Sequence, residues 1–211
     1  MGHSQVEKQR THQRIVEIAS RRLRERGLDG IGVADLMKEA GLTVGGFYKH
    51  FASRDELVAE AIDAAFKGYE QRLEARGITP EELPLEDMLD SYLSSTHRDN
   101  PGEGCAFTAL SGDIARSDDK TRQVATERFI RNTDLMAGRI AQDNAVEARK
   151  KALLAVCAMA GAVGFARLVN DEALSREILE TVKGELLKLS ATAAPQTKQK
   201  TAGSSPAVRS L

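Results

Sequence analysis

The sequence predicts an all-α chain, on three observations. Helix breakers are sparse, with five prolines among 211 residues, so long stretches run without interruption. Within those stretches apolar residues recur at intervals of three and four, the spacing that gathers them on one face of a helix. No stretch shows the strict apolar–polar alternation of a half-buried strand, and no internal repeat is visible.

The elements follow in order. Residues 5–26 read as a helix, because Ile15, Ile18, Ala19 and Leu23 make one stripe and Gly27 stops it. After "LDGIG", Val33, Ala34, Leu36, Met37 and Ala40 form a short amphipathic helix that Gly41 ends. Thr43 is the N-cap expected for a third helix, Val44 to His50. Ser53 followed by Glu56 is a capping box, and the stripe Leu57, Val58, Ala61, Ile62, Ala65, Phe66, Tyr69, Leu73 makes the fourth helix long. "RGITPEELP" breaks the pattern, and Leu85, Met88, Leu89, Tyr92 and Leu93 mark the next helix. The loop "HRDNPGEG" leads to a helix from Cys105 to Arg116. Asp118 and Asp119 then cap one that runs to about Gln142. An Ala- and Gly-rich helix over 145–169 and a last one opened by Asp171 complete the series. The end, "PQTKQKTAGSSPAVRSL", is polar and aperiodic, and a disordered tail is expected over 193–211.

Composition narrows the function. The start, "MGHSQVEKQR", is polar and does not read as a signal peptide. By inspection no apolar run reaches the roughly 18 residues that span a bilayer. Cys105 and Cys157 lie far apart and are no disulfide framework. A cytoplasmic protein with no membrane partner is expected. Residues 1–51 hold nine Lys/Arg against six Asp/Glu, 9 − 6 = +3, so the rest carries −1 − 3 = −4. A basic front end suits an anionic partner.

Two short helices joined by "AGLT" match a helix-turn-helix over residues 32–51. The second helix would lie in a DNA major groove. That accounts for Gly45 and Gly46, which otherwise weaken a helix by roughly 1 kcal/mol each relative to alanine. Without side chains they let the backbone approach the duplex. Phe47 and Phe51 share the inner face, which leaves Tyr48, Lys49 and His50 to point outward as phosphate donors.

Residues 8–68, carried by "IVEIASRRLRERGLDGIGVADLMKEAGLTVGGFYKHFASRDELVAEAI", resemble the DNA-binding domain of the TetR family of bacterial transcriptional regulators. The resemblance implies that Thr43, Tyr48 and His50 contact phosphates and that Val44, Gly45 and Lys49 face the groove. Arg54 stands where the family usually has Lys and would take a further phosphate. It also implies a second all-α domain for ligand binding and dimerisation, so the expected division is 1–54 for DNA, 55–192 for ligand and dimer, then the tail. The last two helices would form a four-helix bundle with a second copy, for which Ala158, Ala160, Gly161, Ala162 and Gly164 allow close approach. Expected partners are a palindromic double-stranded operator, a small-molecule effector and a second copy of the chain.

Candidate pocket residues are Tyr92, Phe107, Phe129, Met136, Met159 and Phe165, a set with few charges that suits an apolar effector. Cys105 joins them. It opens a helix, where the dipole favours an anion, though Glu103 opposes this, and "GEGCAFTAL" resembles the stretch of family members that sense electrophiles or oxidants. Cys157 is expected to pack. The expected function is a ligand-responsive regulator, a repressor released by a small apolar or electrophilic molecule. The alternative is a dimeric helical module that no longer binds DNA, against which the intact Thr43–His50 set argues. An enzyme is not expected, and neither cofactor nor metal: none of His3, His12, His50 and His97 has a Glu three residues before it, and P-loop, G-x-S-x-G and Rossmann patterns are absent.

Overall fold

A computed structural model describes residues 2–30, 32–140 and 144–191; the tail expected over 193–211 lies outside the described residues. Its helices are α1 Gly2–Arg26, α2 Val33–Glu39, α3 Arg54–Glu74, α4 Leu85–Tyr92, α5 Ser95–Asp99, α6 Ala106–Ala115, α7 Asp119–Arg139, α8 Ala145–Leu168 and α9 Glu172–Ala191. A 3₁₀ segment, Val44–Lys49, stands between α2 and α3. Shorter 3₁₀ turns lie at Leu28–Gly30, Pro80–Glu82 and Pro101–Glu103. Gly27 and Gly41 end α1 and α2 at φ +77° and +70°, the left-handed conformation that glycine adopts without a steric penalty.

Two apolar clusters hold the chain together. The first joins Ile15, Ala19 and Leu23 of α1, Leu36 and Met37 of α2, Phe47, Phe51, and Leu57, Ala61 and Ile62 of α3. It also takes in Ala106, Leu110 and Ile114 of α6. The second joins α4 through Leu89, α7 through Met136 and Ile140, α8 through Ala152, Met159 and Val163, and α9 through Leu179 and Leu186.

Side-chain caps set the starts of several helices. Ser53 Oγ accepts the Glu56 amide at 3.1 Å. Glu56 closes back onto the Ala52 amide rather than that of Ser53, a capping box shifted by one residue. Asp118 accepts from the Thr121 amide at 2.8 Å, and Asn144 caps α8 through the Val146 amide at 2.9 Å.

Four expectations change. The third helix is 3₁₀, not α: the Gly46 amide bonds the Thr43 carbonyl and the His50 amide the Phe47 carbonyl, both three residues back at 2.9 Å. Two adjacent glycines weaken the α alternative. Ser94 caps a short helix, α5, by accepting the His97 amide at 3.1 Å, and this helix takes up the first residues of the segment read as the loop "HRDNPGEG". Cys157, expected to pack, is exposed. Finally, α8 is long and apolar enough to cross a membrane by length and composition, with mean hydropathy 1.6 over an 18-residue window, of which 33% is buried. The cause is that α8 is apolar all round. Its inner face packs in the second cluster, while Leu154, Phe165 and Leu168 lie exposed on the other side.

The turn Pro101–Glu103 is gripped from two sides. Arg24 of α1, 8% exposed, directs Nε and Nη2 to the Gly102 carbonyl, with Nε at 2.7 Å, and Nη1 to Ser20 Oγ at 2.8 Å. Arg72 of α3 donates to the Glu103 carbonyl at 2.8 Å. Arg167 of α8 holds the preceding segment, donating to the carbonyls of His97 at 2.7 Å and Arg98 at 2.8 Å. A Cβ on Gly102 would lie 2.6 Å from Glu25 Oε1 and 2.7 Å from Arg21 Cγ, so a side chain there would make the Glu25 and Arg21 side chains move aside.

Candidate functional site

The 3₁₀ segment is fixed from beneath by its two phenylalanines. Phe47 and Phe51 are buried in the first cluster with ring centroids 5.4 Å apart. Burying two such rings contributes several kcal/mol, of order 2–3 for each. What remains on the outside is a preformed edge. Thr43, Val44, Gly45, Lys49 and Arg54 are all exposed, and Tyr48 is 76% exposed with its ring edge-on to Phe47. Thr43 occupies the N-cap position of the segment without a side-chain cap bond. No atom lies within 4 Å of where a Cβ on Gly45 would stand, so that position faces open space. Gly46 is closer in, its Cβ position 3.6 Å from Met37 Cε. Arg54 donates to the Leu28 carbonyl at 2.7 Å, which ties the start of α3 to the end of α1.

His50 departs from the outward trio. It is half-buried, and its Nδ1 is shielded from solvent with no hydrogen-bond partner. Its ring centroid lies 6.1 Å from that of His12, which stacks on Phe51 at 4.5 Å and bonds Glu60 at 2.7 Å. The reason is local: His50 ends the 3₁₀ segment, and the tighter turn swings it toward α1.

The pocket candidates fall into separate groups. Tyr92 bonds Thr108 Oγ1 through its hydroxyl at 3.1 Å and meets the His97 ring edge-on at 4.6 Å. The Cys105 amide donates to His97 Nε2 at 2.9 Å. An amide can only donate, so Nε2 accepts and the imidazole proton is on Nδ1, which donates to the Tyr92 carbonyl at 2.7 Å. Burial lowers the pKa of His97; the Tyr92 carbonyl opposes this, and the charges of Arg167 and Arg72 reinforce it. Burial also raises the Tyr92 phenol well above its usual value, as does the neighbouring Cys105. Cys105 itself is half-buried at the N-cap of α6. Phe107 packs between Phe66 at 4.7 Å and Phe129 at 5.7 Å. Met136 and Met159 are core residues of the second cluster. Phe165 stands apart, 62% exposed on the outer side of α8.

A depression of about 610 Å³ runs along α7 beside Ile130, Arg131, Leu135 and Arg139, and one of about 320 Å³ lies by Arg98, Arg167 and Glu172. Neither includes a candidate. Sequence reading also missed Arg24, His97 and Arg167. Their partners are carbonyls and amides elsewhere in the chain, which leave no mark in residue type or spacing.

Comparison with known proteins fits this geometry. The family model for bacterial regulatory proteins of the tetR family matches residues 15–61, from α1 across the motif into α3. An uncharacterised helix-turn-helix transcriptional regulator of Mycobacterium tuberculosis is 29% identical over 168 residues, 75% of this chain and 85% of that protein. A TetR transcriptional regulator from Chloroflexus aurantiacus superposes with a TM-score of 0.71 at 21% identity, covering 86% of this chain and 94% of that one. AibR, solved in complex with isovaleryl coenzyme A and operator DNA, superposes with a TM-score of 0.58 at 15% identity, covering 83% and 97%. The N-terminal match, the shared all-helical fold and the preformed outer edge of the motif agree: over residues 15–61 the chain matches the helix-turn-helix domain of bacterial regulatory proteins of the tetR family, on a helical fold like that of solved TetR regulators.

Proposed function

We propose that the protein is a homodimeric, ligand-responsive repressor that reads a palindromic operator through the edge Thr43–Lys49. The observation that carries the DNA reading is the division of this segment. Phe47 and Phe51 are buried, and Thr43, Val44, Gly45, Tyr48 and Lys49 stand exposed on one preformed edge. Tyr48, Lys49 and Arg54 would meet phosphates, Val44 and Gly45 would approach base edges, and Thr43 and His50 would add phosphate contacts. Residues 1–54 would serve DNA and 55–192 the effector and the dimer.

The dimer is supported by α8. Val146, Leu154, Cys157, Phe165 and Leu168 form an exposed stripe at helical spacing, and Cβ positions at Gly161 and Gly164 are open. Small residues between large apolar ones suit close packing against a second copy. One short segment per protomer offers few contacts, and a two-fold axis doubles them. Half-sites would then lie about 10–20 base pairs apart.

The effector is read as a small apolar or electrophilic molecule acting near Tyr92, Cys105 and Phe107. AibR was solved with both a small molecule and DNA, so this fold accommodates the pair of ligands. Coupling would run through α3, at a typical ~1–3 kcal/mol. Selection of bound duplexes from a random pool by the purified protein tests the core of this reading. A palindromic consensus protected by a dimer is expected; an asymmetric single half-site bound by a monomer overturns it.

A further inference from the structure

Residues 94–105 run between the two apolar clusters without belonging to either. Leu93, just before them, is part of the second cluster, and Ala106, just after them, is part of the first. The segment is held by directional polar bonds instead of apolar packing. At its start two arginines clasp it to the corner where α8 meets α9. Arg167 of α8 donates to the His97 and Arg98 carbonyls. The Arg98 side chain reaches α9, donating to Ser175 Oγ at 2.8 Å and to Glu172 at 3.1 Å. Ser175 Oγ in turn donates to the Ala166 carbonyl of α8 at 2.7 Å. At the far end the Gly102 carbonyl takes the two Arg24 bonds from α1, and the Glu103 carbonyl takes Arg72 from α3. Between these ends the segment is braced on itself. His97 Nε2 accepts the Cys105 amide, and Asn100 Nδ2 donates to the Thr96 carbonyl at 2.8 Å.

We infer that residues 94–105 act as a strap that ties the position of the α8–α9 corner to the C-terminal end of α1, a connection to the motif separate from the one through α3. This rests on the reading of the chain as a regulator whose two parts communicate, and it names the residues that carry the link: Arg98 and Arg167 at one end, Arg24 at the other. Coupling between distant elements travels through rigid pieces joined by bonds that have two discrete states. The internal bonds make the strap such a piece. Hydrogen bonds weaken steeply once distance or angle leaves the optimum. The arginine bonds at its ends are therefore made or broken, with no apolar contact to absorb a partial shift. A displacement of the corner withdraws the Gly102 carbonyl from Arg24. The end of α1 then loses its anchor, one residue after Leu23, which shares a cluster with Phe47 and Phe51 beneath the motif. The link is reciprocal, so freeing Arg24 also loosens the corner.

Amide hydrogen exchange of the full chain, read by mass spectrometry, tests the strap without DNA. Arg167→Met removes the clasp at the α8 end, whose bonds go to the His97 and Arg98 carbonyls and not to α1. Exchange is expected to quicken severalfold over 94–105 and, at a distance, over 20–27, in both cases more than over 57–62 of α3. Arg24→Met works from the other end and is expected to quicken 94–105 and the corner 166–175, again more than 57–62. If Arg167→Met loosens 94–105 but quickens 20–27 no more than 57–62, the strap stops at α8 and the inference is overturned. It is overturned equally if 94–105 keeps its wild-type rate, or if exchange quickens evenly along the chain, the mark of lower global stability alone. Should Arg167→Met fail to fold, Arg24→Met decides: a corner that loosens with 94–105 supports the strap, and a corner that quickens no more than 57–62 overturns it. Failure of wild type to bind any duplex would overturn the regulator reading and leave the exchange result standing.

Discussion

Replacing Arg24 with methionine removes the guanidinium and keeps most of the apolar stem. In the folded chain that guanidinium makes two bonds to the Gly102 carbonyl and one to Ser20 Oγ. Hydrogen bonds to a charged group contribute about 1.5–3 kcal/mol each, but two share one acceptor and count for less than double. Removal also strands the buried Gly102 carbonyl, at about 1–3 kcal/mol. Against this stands relief of a buried charge, since burial holds the Arg24 pKa below its ordinary value. The balance is a destabilisation of roughly 2–4 kcal/mol, or a fall of about 4–16 °C in Tm for a chain of this size. Thermal and urea unfolding followed by circular dichroism, at one fixed protein concentration, measures it. Gly102→Ala crowds the same turn against the Glu25 and Arg21 side chains, so the two changes in one chain should cost less than their sum. A variant Arg24→Met within about 0.5 kcal/mol of wild type refutes the reasoning, because the turn would then be held without the arginine.

Lys49→Ala should weaken operator and random duplex alike and lower the salt slope by about 1; a change only in which sequence is preferred would make Lys49 a base reader. Leu154→Glu places a charge on the exposed stripe of α8, and light scattering should show monomer with unchanged helical content. A dimer that survives it puts the interface elsewhere. Acidification should reveal His97. Its folded pKa is lowered, so the unfolded chain binds the proton more tightly; the native state keeps its full stability above 6.5 and loses it as pH falls below that value. His50 shifts in the same direction and adds to the loss. Urea midpoints near pH 7.5 and pH 5.5 check this, and His97→Gln should show a smaller drop between them than wild type.

How far the sequence could be read depended on the range of the interactions. The helices α1, α2 and α3 were legible because their stripes, glycine stops and the Ser53 cap are all local signals. The motif edge was legible for the same reason, since the spacing of Phe47 and Phe51 alone decides which side is inward. The 3₁₀ character of Val44–Lys49 was not, because the two patterns differ by one residue per bond and share the same N-cap. The half-buried direction of His50 was not legible either, as it lies against His12 of α1. Helix α5 has no apolar stripe and rests on Ser94 and on Arg167, the latter some seventy positions on. For Cys157 and α8 the sequence showed apolar residues on every face and gave no sign of which face the chain itself covers.

The first apolar cluster has a consequence for how the protein is made and how it can be cut. Leu110 and Ile114 of α6 close the same cluster as Ile15 and Leu23, and Arg24 waits for a carbonyl 78 residues further along. A ribosome that has released only the first 75 residues has therefore delivered the whole exposed edge of the motif but not the lid of its core. The front end reaches its final packing only after α6 emerges. Anyone grafting this helix-turn-helix unit onto another module must carry residues 101–116 with it, because cohesion here does not respect the order of the chain.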